Sequence, residues 1–178
     1  MLLRAIRRKN KRGLSLVISY VLLIAVSITV SILVYQFLKT YVPKDTVVCA
    51  DGTSLLVNDI SCSSSVLSVT VINNGRFGIN GYYIHVSTSP SQQLATTDLS
   101  GKITSGGQSF GNSVQFSNTE NSLSPGDTKI STFNVANMGM NFYTVEITPT
   151  RQEVIDNVKR FATCSDAKTT WKDTVTCA

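Results

Sequence analysis

The chain has 178 residues, a formal net charge of +5, and hydrophobic side chains at 42% of its positions. The charge is segregated: six basic residues precede Gly13 without an acidic neighbour, whereas the ten basic residues after it are balanced by 11 acidic residues. The sequence after Gly13 is therefore close to neutral, which argues against a broad nucleic-acid-binding surface. We expect no nucleic-acid partner.

An uncharged apolar segment runs from Leu14 to Leu38, a length of 25 residues. As a helix it would span about 37 Å, which exceeds the ~30 Å hydrocarbon core of a bilayer. Lys and Arg next to a span resist translocation, so the basic cluster marks the cytoplasmic side. We predict one membrane span with a cytoplasmic N-terminus, an aromatic group at its outer end (Tyr35, Phe37 and Tyr41), and a helix end at Pro43.

One face of this predicted helix carries small hydroxyl side chains. At 100° per residue, four serines fall within an arc of about 160°: Ser15, Ser19, Ser27 and Ser31. Small residues let helix backbones approach closely in membranes, so this face is predicted to pack against other helices. The alternative is that the serines are simply tolerated in an apolar span.

No small-residue cleavage site of an ordinary secretory signal closes the apolar segment. Its front edge instead reads Lys11-Arg12-Gly13 followed by Leu14-Ser15. This arrangement resembles the class III signal peptide of type IV pilins, especially of archaeal type IV pilin-like proteins and archaellins. The resemblance implies that a prepilin peptidase recognises Lys11, Arg12 and Ser15, cuts between Gly13 and Leu14, and leaves the helix on the mature protein.

Two positions depart from that family pattern. Ile18 stands where bacterial pilins carry a glutamate, so the resemblance does not imply their charge-pair assembly mechanism. Leu16 stands where many archaeal members have proline. The alternative is an uncleaved single-span anchor with a glycine at its border.

Beyond the span the sequence changes to short β-type segments. Val66–Ile72 alternates apolar and polar side chains, as a half-buried strand does, and Tyr82–Ser87 returns after two Asn-Gly turn signals. This unit resembles the strand–turn–strand unit of β-sandwich heads in archaeal pilin-like and other cell-surface proteins. Lys129–Val135 and Phe142–Thr148 are further predicted strands, the second stopped by Pro149.

Residues 89–126 are rich in Ser, Thr, Gly, Asn and Gln, which predicts long loops with one or two short edge strands such as Ser113–Ser117. The predicted fold class is α+β, a long N-terminal apolar α-helix followed by an all-β immunoglobulin-like sandwich head. The predicted segments are a basic leader (1–13), a transmembrane or filament-core helix (14–43) and an extracellular head (44–178).

Four cysteines in an exported domain favour disulfides over metal binding. Cys49 and Cys62 have the same C-x12-C spacing as Cys164 and Cys177, and this spacing is poor for zinc. The equal spacing favours two local loops, Cys49–Cys62 and Cys164–Cys177. The nested alternative, Cys49–Cys177 with Cys62–Cys164, remains open. Trp171, the only tryptophan, is expected to pack in the core.

The sequence gives little support for catalysis. Gly107 to Gly111 matches G-x-S-x-G around Ser109, but a nucleophile elbow needs a strand before it and a helix after it. The only histidine, His85, is predicted to be an exposed strand residue. Glu120, Glu146 and Glu153 have no partner readable from the sequence. We expect no enzyme activity, no metal and no cofactor.

The leading hypothesis is a structural pilin-like subunit of a type IV pilus-like surface filament. Its partners would be the membrane, a prepilin peptidase, and copies of itself or other pilins. It would be a cytoplasmic-membrane precursor that becomes part of an extracellular filament. The alternative is an uncleaved, membrane-anchored surface adhesion or binding protein.

Overall fold

The computed structural model of the chain describes residues 11–41, 47–155 and 157–177. The chain divides into two compact units, Met1–Thr46 and Val47–Ala178. Within its described residues, the first unit contains one helix, α1 (Lys11–Tyr41), of 31 residues. Its side chains are described from Val17 onward. The predicted leader, 1–13, lies outside the described residues except for the three helical positions at its end.

The second unit, which we call the head, contains 13 strands and two short 3₁₀ turns within its described residues. The 3₁₀ turns are Ser100–Lys102 and Ser165–Ala167. In chain order the strands are β1 (Leu56–Ser63), β2 (Val66–Ile72), β3 (Gly81–Ser87), β4 (Thr97–Asp98), β5 (Ile103–Ser105), β6 (Gln108–Phe110), β7 (Ser113–Gln115), β8 (Thr128–Asn134), β9 (Asn141–Phe142), β10 (Thr144–Ile155), β11 (Val158–Thr163), β12 (Thr169–Trp171) and β13 (Val175–Thr176).

These strands form two main antiparallel sheets. One has four strands in the order β1-β2-β8-β5, and the other has the path β11-β10-β3-β7-β6, with β12 paired to β10 and β4 paired to β3. β9 and β13 form a separate two-stranded sheet. One hydrophobic core takes side chains from both main sheets, including Val69 and Phe133 from the first and Ile84 and Ile147 from the second. The predicted fold class, a helix followed by a β-sandwich head, is confirmed.

The period-2 pattern located the core strands accurately. β2 has the predicted bounds, with Leu67, Val69 and Val71 buried. β3 and β8 each begin one residue before the predicted strand. Residues 89–126 contain four short strands, more than the one or two expected, and the predicted strand at Ser113–Ser117 is observed as β7.

The prediction that Pro149 ends a strand is wrong, because β10 continues through it to Ile155. The carbonyl oxygen of Pro149 accepts a hydrogen bond of 2.9 Å from the Cys164 amide. Cys164 follows β11 and precedes β12, so the nitrogen of Pro149 faces the gap between those two strands. No ladder hydrogen bond is lost there, and β10 accommodates the proline.

The larger sheet is strongly curled. A Cβ added to Gly81 would lie 2.0 Å from the carbonyl oxygen of Val114, so β7 crosses β3 more closely than a side chain permits. The two edge strands of the sheet, β6 and β11, also meet: the rings of Phe110 and Phe161 have centroids 6.0 Å apart.

The favoured disulfide pairing is wrong, and so is the nested alternative. The observed bonds are Cys49–Cys164 and Cys62–Cys177, each with a sequence separation of 115 residues. Equal spacing within each pair arises because segments 49–62 and 164–177 lie side by side and are joined at both ends. Between the bonds, the Thr169 hydroxyl donates a 2.6 Å hydrogen bond to the Leu55 carbonyl oxygen.

Candidate functional site

The most unusual surface of the protein is that of α1. Its apolar side chains are exposed on every side of the helix, with exposed fractions of 60% for Val17, 61% for Val21 and 69% for Leu33. The segment Val17–Tyr41, of 25 residues and mean hydropathy 2.7, is long and apolar enough to cross a membrane. A soluble helix would show one polar face, so this surface requires an apolar surrounding.

Hydroxyl side chains in α1 satisfy their donors within the helix. Ser27 donates to the Leu23 carbonyl oxygen and Ser31 to that of Ser27, both at 2.8 Å. Thr29 and Thr40 make the same type of bond, to Val26 and Gln36. A hydroxyl bonded to its own backbone can enter an apolar medium at little cost. Ser27 and Ser31, two residues of the predicted serine face, therefore carry no open donor.

Ser19 also lies on α1 and is exposed. The side chain of Ser15 lies outside the described residues, so that part of the predicted packing face stays a prediction.

Aromatic rings and one cation mark the C-terminal end of α1. The rings of Phe37 and Tyr41 stack with centroids 5.9 Å apart, and Lys39 lies in the last turn. Amphipathic aromatic rings and lysines favour the headgroup level of a bilayer. This end therefore fits an interface between membrane and water.

The predicted cleavage point lies in the first turn of α1. The backbone of Lys11, Arg12, Gly13, Leu14 and Ser15 is helical. Their side chains lie outside the described residues, so recognition by a peptidase stays a prediction.

In the head, a cavity of about 420 Å³ lies beside the Cys49–Cys164 bond and is lined by segments 47–53 and 163–167. It contains one aspartate from each of these segments, Asp51 and Asp166. Among the described residues, no cluster of three or more His, Cys, Asp or Glu side chains could hold a metal ion. The cavity thus offers a groove beside a disulfide rather than a metal centre.

The G-x-S-x-G match does not lie on a nucleophile elbow. Ser109 is an exposed residue of β6, which pairs with β7 in a hairpin. His85 lies on β3, and β7 separates β3 from β6 in the sheet order. His85 is half-buried rather than exposed, and its neighbours across the strands are Asp98 and Glu146. The two residues are therefore placed on different strands of the sheet rather than as a nucleophile and its base.

The three glutamates without a readable partner each pair with a cation. Glu153 accepts from Arg151 at 2.7 Å, and Glu146 lies 3.3 Å from Lys168. Glu120 pairs with Lys159. Arg151, which is buried, also donates a 2.6 Å bond to the Gly78 carbonyl oxygen and lies over the Phe77 ring. Glu120 and Glu146 therefore join loop and strand residues, whereas Glu153 pairs with a residue of its own strand, β10.

Two asparagines have structural roles that sequence reasoning missed. The buried amide of Asn73 donates to the carbonyl oxygens of Phe77 and Leu123, at 2.9 and 2.8 Å. The Asn121 amide makes two 2.9 Å bonds with the backbone of Gln152, one donated and one accepted. The Asn73-Asn74-Gly75 turn signal was visible in the sequence, whereas nothing near Asn121 indicates that its side chain imitates a neighbouring strand.

Trp171 packs against the hydrophobic core, as expected, and lies opposite Val145 across the β10–β12 pair. Its indole N–H is buried. This placement assigns the only tryptophan to the structural part of the head.

Compared with protein-family models, curated proteins and solved structures, the chain has no match. Its own features are a candidate membrane-spanning helix and a head closed by two disulfides. Disulfides persist in oxidising compartments outside the cytoplasm. The features fit a membrane-anchored or secreted surface protein with a β-sandwich head.

Proposed function

We propose that this chain is a pilin-like structural subunit of a type IV pilus-like surface filament. In this proposal, cleavage between Gly13 and Leu14 removes the basic leader, and α1 leaves the lipid to join copies of itself in a filament core. The observation that carries the proposal is α1 itself, whose apolar surface continues around the helix from Val17, the first residue with a described side chain. Lipid and a bundle of similar helices both satisfy such a surface.

The sequence of the first turn of α1 supports cleavage there. Lys11 and Arg12 oppose the helix macrodipole at an N-terminus, and the turn contains no acidic residue to offset them. Gly13 adds a residue of low helix propensity. These residues lower the stability of this turn, which favours its extension in a peptidase cleft.

The hydroxyl face of α1 supports packing between helices. Ser27 and Ser31 are small and already hydrogen-bonded to the helix backbone. Such a face allows close helix contact in either lipid or a protein core. A helix that serves only as an anchor does not require small side chains on one face.

Replacing Gly13 tests this proposal. Gly13→Val is expected to leave the leader attached, to keep the protein in the membrane and to abolish filaments seen by electron microscopy in the fraction sheared from cells. Gly101→Val is the matched control, because a Cβ at Gly101 meets nothing within 4 Å. It should be processed and assembled normally.

Filaments of normal length and number from Gly13→Val would contradict the proposal. So would a wild-type surface fraction that contains the protein only as dispersed, full-length chains. Loss of filaments in both glycine variants would trace the defect to folding or export and not to the cleavage site.

A second candidate is a membrane-anchored binding protein, favoured by one surface of the head. Phe110 and Phe161 lie ring to ring yet are 60% and 51% exposed. Exposed aromatic pairs are common at recognition surfaces. Substituting both by serine should lower adhesion without changing the amount of protein at the cell surface if this surface binds a partner. Unchanged adhesion would exclude this surface as the binding site.

A further inference from the structure

The observed disulfides connect distant parts of the chain, although nearer partners exist. Both bonds join cysteines 115 residues apart. Cys49 and Cys62 are separated by only 13 positions, as are Cys164 and Cys177. The probability of loop closure in an unfolded chain falls roughly as the −3/2 power of loop length, so each local pair meets about 26 times more often than each native pair. Oxidation of the unfolded chain therefore begins with the local pairs.

The folded head also limits late oxidation. Cys164 and Cys177 are only 3% and 7% exposed. Thiols react with oxidants when they are accessible, so these two are poor targets once the core has formed. Bond formation must start before packing is complete. At that stage the entropy of the unfolded chain, and not the fold, selects the partners.

We infer that the head reaches its native pairing by thiol–disulfide exchange from a Cys49–Cys62 intermediate, with the Cys164 thiolate as the nucleophile. Cys49 and Cys62 precede the other two cysteines along the chain, so they are the first to emerge when export starts from the N-terminal helix. This inference requires only that the head forms in an oxidising compartment. It is independent of cleavage at Gly13.

The steps balance as follows. The thiols of Cys49 and Cys62 give two protons and two electrons to a disulfide-type oxidant, which becomes a dithiol. The Cys164 thiol loses its proton and attacks the Cys49 sulfur; the Cys49–Cys62 bond breaks, Cys49–Cys164 forms, and Cys62 leaves as a thiolate that takes up a proton, without net oxidation. Cys62 and Cys177 finally give two protons and two electrons to a second equivalent of the same oxidant.

The fold supplies the direction of the exchange. A 2.9 Å hydrogen bond from the Cys164 amide to Pro149 positions Cys164 at the end of β11. The Cys177 amide likewise donates a 2.7 Å bond to Met140. Thr169 ties the C-terminal segment to Leu55, midway between the two disulfides. These contacts form together with the native disulfides. Folding therefore stabilises the natively paired chain and shifts the exchange equilibrium away from the local pair.

Stoichiometric oxidation of the full-length chain tests the inference. The reduced protein, unfolded in guanidinium chloride with detergent, is diluted into detergent buffer with one or two equivalents of diamide. Samples are blocked with N-ethylmaleimide and cut by an aspartate-specific protease, which cleaves between the cysteines of each local pair at Asp51, Asp59, Asp166 and Asp173. Mass spectrometry of the linked peptides then identifies every pairing.

With one equivalent, which supplies one disulfide per chain, the local pairs should appear first, and Cys49–Cys62 should convert to Cys49–Cys164 without further oxidant, leaving Cys62 and Cys177 reduced. With two equivalents added at once, both local loops should persist until reduced glutathione is supplied. Native pairs formed first in the one-equivalent sample, or local pairs that never convert there, would overturn the inference.

Double variants provide the control. Cys62→Ser with Cys177→Ser leaves only Cys49 and Cys164, so no local pair is possible. Its single native bond should form directly at either oxidant level, and glutathione should not change the yield. Cys49→Ser with Cys164→Ser is the second such variant if the first fails to fold. If the variant that folds still required glutathione, glutathione could not be acting by correcting mispaired cysteines. That result would contradict the inference.

Discussion

Tyr82 lies among the largest fully buried side chains of the head, on β3. Burial raises the pKa of its phenol above the usual value, and the neighbouring Ser131 side chain offsets that shift only in part. The folded head therefore favours the neutral phenol of Tyr82 over the phenolate. Because the unfolded-state pKa is about 10, stability from neutral Tyr82 is complete below pH ~10 and is lost as the pH rises above it.

Tyr82→Phe tests this linkage. The variant should lose less stability than the wild type between about pH 8 and pH 11, because phenylalanine has no proton to release. Urea unfolding followed by the fluorescence of Trp171 measures the difference. Tyr83→Phe, on the opposite face of the same strand, should keep the wild-type dependence. An unchanged pH dependence in Tyr82→Phe would show that other groups cause the alkaline loss.

Asn121 lies at a backbone φ of 47°, a left-handed conformation that asparagine tolerates better than most residues. Asn121→Asp should destabilise the head by about 1–3 kcal/mol, since a carboxylate cannot donate to the Gln152 carbonyl oxygen. Asn118→Asp, an exposed position on the same loop, should change stability by less than about 0.5 kcal/mol. Equal effects of the two changes in urea unfolding would contradict the assigned role.

At the scale of elements, the alternation of apolar and polar residues predicted those strands of the head that have one face buried in the core and the other exposed to solvent. β2 was predicted to the residue because Leu67, Val69 and Val71 alternate with polar positions. The predicted strand ended too early, at Pro149. β10 accommodates this proline because the proline faces a gap between β11 and β12, and no local sequence pattern reveals that gap. The short strands β4 to β6 depend similarly on their partners.

The cysteine pairing failed for a related reason. Loop length describes which contacts an unfolded chain makes most often. The native bonds depend on segments 49–62 and 164–177 lying side by side, a long-range result of sheet topology. The cysteine sites were predictable as disulfides, whereas their partners required the fold.

The serine face of α1 gives a prediction at the same scale. Ser27→Phe should leave membrane insertion intact, since phenylalanine is more apolar, but should reduce the number of filaments about tenfold or more. A loss of 1.4 kcal/mol per contact already gives a factor of ten. Ile32→Phe, on the opposite side of α1, should have a smaller effect. Filament counts by electron microscopy, with the membrane-bound protein quantified in parallel, measure both.

If Ser27→Phe assembles as well as the wild type, the small face is not a packing surface. If Ile32→Phe is equally damaging, bulk anywhere on α1 is the cause. Either result would leave the serines as tolerated residues of an apolar span.

At the scale of the whole molecule, the two units have opposite surfaces. α1 exposes apolar side chains from Val17 onward, whereas the head packs one hydrophobic core, leaves single apolar side chains exposed, and closes its first and last segments with disulfides. The surface of the head is thus compatible with water, whereas the apolar surface of the helix is not. The proposed transfer of α1 from membrane to filament needs this division.

The N-terminal residue of the mature protein tests that account most directly. Protein recovered from the cell surface should begin at Leu14, as determined by N-terminal sequencing and by an intact mass that lacks residues 1–13. A surface protein that retains Met1, or that begins beyond α1, would contradict the account, since the helix would then be only an anchor or would be discarded.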